Sequence, residues 1–275
     1  MPDIKDEVLK GFEPDEIKPE DYIFGGGRLP MEEIQPDGYW TNSLPVVEIQ
    51  ELHGVEPYGC VSFTILTSVE ILIKEKYDLE RNYSDRFLAA ISGTRERKGN
   101  SPGNVADVLK HKGVVLQDVW PFNKDINTYE KFYGEIPQNI IDLAKEFNEE
   151  WDFGYERVPS NPEAISAALK CSPLLISVYA WTKNDKGLYY RPEGYSDIHA
   201  TTMIAEREGE YRRVFDTYEP HIKDYDWNSM PIQVMRFWIE KKGKKKEERG
   251  EEMIEIIPMS YYIKRFFQFI INIFK

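Results

Sequence analysis

The sequence predicts an α+β fold, with a helical first half and a mostly antiparallel β second half. Three observations carry this. Between residues 60 and 150 the apolar positions recur at helical spacing inside capped segments. From residue 155 to 240 the segments are short, β-branched and aromatic, and turns separate them. The change falls in one place, near residues 148 to 155, as expected for two lobes. The chain divides accordingly into an extension (1–45), a helical lobe (46–150), a β lobe (151–240), and a charged linker with an amphipathic helix (241–275).

Residues 1–45 are rich in Pro, Gly and acids and read as an extended arm laid over a surface. Their "FGGGRLP" lacks the Gly-Lys-Ser/Thr of a phosphate loop and reads as a turn. From Cys60 to about Lys76, Val61, Phe63, Ile65, Leu66, Val69, Leu72 and Ile73 suit a helix buried on most sides. A strand would also fit the β-branched content, but the run is long and has no internal Gly or Pro. "YSDRFLAAISG" is a second helix, capped by Ser84 and stopped by Gly93. In "NSPGNVADVLKHKG" Ser101 caps, Pro102 takes the first helical position and Gly113 ends the helix. "PQNIIDLAKEFNEEW" is a fourth, with Ile140, Ile141, Ala144 and Phe147 on one face. The second half then reads strand ("GYERV"), capped helix ("NPEAISAALK"), and strands "PLLISVYAW", "HATTMIAERE", "YRRVFDTYE" and "IQVMRFWIEK".

The 275 residues include 37 Phe, Tyr and Trp, ample for a core. The net charge of -13 is uneven: residues 241–275 hold nine Lys/Arg against five Glu, leaving -17 on the rest. So acidic a body lacks the phosphate-neutralising surface that nucleic-acid binding needs. Two cysteines, Cys60 and Cys171, exclude a disulfide framework and a cysteine-rich zinc site, and no metal or cofactor is predicted. The acidic N-terminus has no apolar core of a signal peptide, so cytoplasmic synthesis with reduced thiols is expected. Near the C-terminus, Ile263, Phe266, Phe267, Ile270, Ile271 and Phe274 share a helical face. Residues 260–275 are too short to cross a bilayer, and the segment is expected on a membrane surface, on a partner protein, or on the protein's own core.

Cys60 follows the turn Pro57-Tyr58-Gly59 and opens a helix, whose N-terminal dipole and unpaired N–H groups favour a thiolate. Read alone, it is either a buried core residue or a nucleophile. Cys171, between a helix and an apolar strand, reads as core. Of the four histidines, His111 lies in the last turn of a helix, and His53 and His221 lie in polar loops and read as solvated. His199 begins a strand after a polar loop. Asp216 lies on the next strand, where adjacent antiparallel pairing can bring a carboxylate beside the imidazole.

In this order the chain resembles the papain-like cysteine peptidases, in the divergent form found in phage and metagenomic sequences. "LPVVEIQ" through "YGCVSF" resembles the oxyanion-glutamine segment and the nucleophile helix. "NYSDRFLAAISGTRERKGNSPGNVADVLKHKGVVLQDVWPF" is similar to the middle of the helical lobe, and "DIHATTMIAEREGEYRRVFDTYEP" to the histidine strand and its hairpin. The resemblance covers roughly residues 40 to 235 and implies a papain-like two-lobe fold with the active-site cleft between the lobes. It implies Cys60 as nucleophile, His199 as general base and acid, and Asp216 where the family has asparagine. It also implies Tyr218 in place of the shielding tryptophan, Gln50 as an oxyanion donor, and Gly99, Asn100 and Ser101 along the cleft.

There are departures. Nine residues separate Gln50 from Cys60, more than is usual. Val61-Ser62 replaces the tryptophan after the nucleophile, and residues 1–45 show no propeptide helix. A carboxylate at 216 should hold an imidazolium more tightly than an amide does. The implied activity is hydrolysis of peptide bonds in a peptide or protein substrate through an acyl-enzyme. The alternatives are a peptidoglycan stem-peptide hydrolase and a non-catalytic, virion- or membrane-associated protein that keeps the fold. The aromatic tail favours the last of these.

Overall fold

The computed structural model describes residues 11–16, 21–179 and 182–243. The helix expected at 260–275, and the linker beyond residue 243, lie outside these residues.

Helix α1 (Cys60–Tyr77) settles the choice between helix and strand: thirteen of its eighteen residues are buried. A strand of this composition would bury two faces only, whereas α1 is wrapped on nearly all sides. Each fully buried Ile, Leu or Val of this kind contributes roughly 1.5–3 kcal/mol. Helices α2 (Asp85–Ser92) and α3 (Pro102–Lys112) carry the expected caps. Ser84 accepts from the Phe87 N–H at 3.0 Å, and Gly93 closes α2 in the left-handed region. A short α4 (Tyr129–Phe132), too brief to show periodicity, precedes α5 (Gln138–Glu150). In α5, Ala144 and Phe147 are buried while Ile140 and Ile141 are only half-buried.

The helix-to-strand change comes at Glu150–Trp151, where strand β1 (Trp151–Val158) begins. Helix α6 (Pro162–Leu169) follows its Asn161 cap. Strands β2 (Leu174–Val178), β3 (His199–Arg207), β4 (Tyr211–Phe215), β5 (Ile222–Asp226) and β6 (Val234–Lys241) complete one antiparallel sheet, ordered β1-β6-β2-β3-β4-β5. Strand β5, "IKDYD", is absent from the sequence reading, because three of its five residues are charged. It is an edge strand that buries Lys223 and Tyr225 on one face and leaves the other half-covered or exposed.

The arm runs along the surface as expected, with one 3-10 turn (Thr41–Ser43). It covers the β1 edge through Arg157 N–H to Tyr22 carbonyl (2.7 Å) and Phe24 N–H to Arg157 carbonyl (2.8 Å). Trp40 is its anchor, fully buried and donating from Nε1 to the Leu169 carbonyl at 2.7 Å. No helix among the described residues is long and apolar enough to cross a membrane.

Candidate active site

The site forms where the N-terminus of α1 meets the start of β3. The turn before α1 is held in an unfavourable shape: Tyr58 has φ 54°, in the left-handed region. The Glu56 carboxylate compensates by accepting the Tyr58 N–H at 2.9 Å. The turn delivers Cys60 as the first residue of α1, 1% exposed. Across from it, pairing of Val178 with His199 fixes the start of β3. The Ala200 N–H then points to Cys60 Sγ at 3.4 Å.

The His199 imidazole hydrogen-bonds to Cys60 and, through Nε2, to Asp216 Oδ1 at 3.0 Å. Burial works against the imidazolium, but the Asp216 charge and hydrogen bond, helped by Cys60, outweigh it and raise His199 to about 10. Burial likewise opposes the Asp216 carboxylate, yet its cationic neighbours hold it below the usual carboxylate range. Asp216 follows β4 directly, and its carboxylate accepts from two further groups. Tyr218 N–H reaches Oδ1 at 3.1 Å, and Lys223 Nζ reaches Oδ2 at 2.8 Å. The Tyr218 ring centre stands 5.3 Å from that of the imidazole in an edge-to-face contact at 60°.

Gln50 is buried on the Tyr218 side of the site. Its Nε2 donates to Glu56 Oε1 (2.6 Å) and to the Tyr218 hydroxyl (3.0 Å), and Tyr218 donates to the other Glu56 oxygen. Glu56 thus ties together the Tyr58 turn, Gln50 and Tyr218. It belongs to the candidate site, and the sequence did not single it out. Its place inside the widened gap between Gln50 and Cys60 was the available signal.

Gly99 and Asn100 are buried and Ser101 is half-buried. Asn100 turns its side chain inward to Ser92 and Thr94, and Ser101 spends its hydroxyl capping α3. What they present outward is backbone, and a segment of the arm already occupies it. Asn100 N–H donates to the Gly11 carbonyl (3.1 Å), and Glu13 N–H donates to the Asn100 carbonyl (3.0 Å). On the other side the Phe12 N–H donates to the Ile198 carbonyl at 3.3 Å. Gly11 is the residue this crossing requires: an added Cβ would lie 2.8 Å from Cys60 Sγ and 3.2 Å from the Tyr58 carbonyl. Asp15 locks the strap down. It accepts from Gly103 N–H (2.9 Å) and Gln233 Nε2 and pairs with Arg157 at 3.2 Å.

The remaining histidines and Cys171 lie away from Cys60. His111 Nδ1 meets the Asp107 carbonyl (2.8 Å) at the end of α3, as its position implied. His53 is exposed in a turn. His221, read as solvated, instead lies half-buried with Nδ1 2.9 Å from the Asp216 carbonyl, because the turn before β5 folds back on β4. Cys171 is 5% exposed and burial pushes its thiol up, as fits a core residue. Among the described residues no cluster of His, Cys, Asp and Glu could hold a metal ion.

Glu48, two residues before Gln50, is a second electrostatic centre. Burial, only partly offset by a hydrogen bond from Asn82, pushes its carboxyl up to about 7. Burial, reinforced by the Glu48 charge, raises the buried Glu70 on α1. The folded protein therefore binds a proton at Glu48 that the unfolded chain releases near 4.5, so stability falls as pH rises from about 4.5 to 7. Glu48→Gln is expected to stabilise the protein at pH 8 by up to about 3 kcal/mol and to change little at pH 4.5. Melting curves at the two pH values test this; equal shifts at both would refute it.

No family model and no curated protein matches the sequence. Solved structures do. Xylellain, a cysteine protease from Xylella fastidiosa, matches over 83% of this chain and 95% of its own, with TM-score 0.64 and 14% identity. The bromelain protease from Ananas comosus, in complex with the E64 inhibitor, matches over 72% and 96%, with TM-score 0.55 and 20% identity. The cysteine protease and lectin-like domains of Cwp84 from Clostridium difficile match over 74% of this chain and 51% of theirs, with TM-score 0.58 and 14% identity. At identities this low the likeness is one of fold, and the fold this chain shares with all three is that of the papain-like cysteine proteases.

Proposed function

We propose that the protein is a papain-like cysteine peptidase that cleaves peptide bonds in peptide or protein substrates. The observation that carries this is the buried chain of contacts from Cys60 through His199 to Asp216 at the N-terminus of α1. The Cys60 thiolate attacks the carbonyl carbon, and the imidazolium donates its proton to the leaving amine. The neutral imidazole then takes a proton from water, which attacks the thioester and releases the acid and the thiolate. The Cys60 N–H at the helix start is the first oxyanion donor. Gln50 serves as the second when the Glu56–Tyr218 pair yields one of its amide hydrogens. Asp216 holds the imidazole in one orientation, and Tyr218 keeps water off that bond.

The test is modification by a thiol-directed electrophile, followed at each cysteine. Cys60 is expected to react at least about ten times faster than Cys171, and His199→Ala is expected to remove the difference. Equal rates once the strap over Cys60 is released by Asp15→Ala would end the reading.

A further inference from the structure

The acceptor beside His199 is a carboxylate, and a second cation is buried against it. Lys223 Nζ sits 2.8 Å from Asp216 Oδ2, while His199 Nε2 sits 3.0 Å from Oδ1. The side chains of all three are no more than 3% exposed. A buried lysine is costly unless a charge answers it, and one bridging to the outer oxygen of this carboxylate changes what the histidine feels. We propose that Lys223 is a positioning residue that answers part of the charge of Asp216, so that the carboxylate pulls on His199 less strongly than a lone buried carboxylate would. The assignment rests on the peptidase reading for its purpose, though not for its physics.

The purpose follows from the two proton transfers. An imidazolium facing a lone buried carboxylate is over-stabilised and becomes a poor acid toward the leaving amine. With Lys223 in place the carboxylate keeps its fixed geometry and its two acceptor oxygens, but part of its charge is answered. Other groups pack around the pair. Cys60 faces His199 from α1, and Tyr218, hydrogen-bonded to Glu56, covers it from the turn after β4. Around Asp216 lie Tyr225 on β5, His221 at the backbone carbonyl, and Glu48 across a small cavity. Asp197, before β3, is already paired with Arg191 at 2.7 Å. The Tyr189 and Tyr218 rings flank Lys223 Nζ at 5.7 and 6.0 Å, within reach of a cation–π contact.

The experiment reads His199 directly, by titrating its ring Cε1–H resonance in the full chain, with His199→Ala giving the assignment. Asp216→Asn leaves Lys223 unanswered and is expected to move the His199 midpoint down by about two pH units or more. Adding Lys223→Met to that variant removes the unanswered charge and is expected to recover at least about one of those units. Lys223→Met alone is expected to move the midpoint up, and Lys223→Arg to leave it near the original. Equal midpoints in Asp216→Asn and the double variant would overturn the assignment, and so would a midpoint in Lys223→Met at or below the original. If Lys223→Met alone fails to fold, Asp216→Asn and the double variant still decide, because both lack the buried carboxylate. Peptide hydrolysis by the same proteins reports separately. Midpoints that move as stated in a protein without hydrolysis support Lys223 and count against the peptidase reading alone.

Discussion

Asp15→Ala is expected to raise the rate at which a small electrophile modifies Cys60 by about 30- to 150-fold. The strap Gly11–Glu13 lies over the sulfur, so reaction at Cys60 waits on its departure. The strap's backbone bonds to Asn100 and Ile198 can be exchanged for water at small net cost. The Asp15 carboxylate cannot, since it is shielded and gathers a helix N-terminal N–H, an amide and the Arg157 guanidinium. Removing such an anchor costs about 2–3 kcal/mol, which sets the factor. The same substitution should open the cleft to peptides. Gly11→Ala is an independent way to the same end, because its Cβ has no room above Cys60. If both variants label at the original rate while their melting temperatures stay in range, the strap is not what limits access.

In the Asp15→Ala background, His199→Ala is expected to lower peptide hydrolysis about 10³- to 10⁴-fold. The ring is the group in contact with both Cys60 and the Asp216 carboxylate. On the proposed mechanism, its loss removes the proton donor to the leaving amine as well as the partner of Cys60. Because His199 holds its proton up to about 10, hydrolysis in the same background should have an alkaline limb near that pH. The linked stability has a defined sign. A histidine raised from 6.5 to about 10 stabilises the fold fully below pH 6.5, and that contribution is lost as pH rises toward 10. Activity within about ten-fold of the background protein in His199→Ala would remove the histidine from the mechanism.

Much of the helical half was legible because its signals are local. Ser84, Ser101 and Asn161 cap, Gly93 and Gly113 stop, and the apolar spacing does the rest. Cys60 and His199 were legible for a similar reason, since each opens an element marked in the sequence, whereas Asp216, expected on the next strand, follows that strand directly. Glu56, Asp15 and Lys223 were not. Each is a charged residue in a stretch that reads as solvated loop or arm, and each becomes informative only through partners distant in sequence or on a neighbouring strand. Lys223 shows the point most clearly. "IKDYD" pairs with β4 and buries its lysine because Asp216 waits at the end of that neighbouring strand.

The α+β class, the point where helices give way to strands, and the thiol at a helix start can all be read along the chain. Those follow from spacing, caps and turn chemistry, which act over a few residues. That Gly11 crosses the sulfur, that Glu56 gathers Gln50 and Tyr218, and that Lys223 answers Asp216 follows from contacts made in the folded chain. A buried charge is stable only where its counter-charge is already placed, and for Lys223 that placement is set by the pairing of β5 with β4.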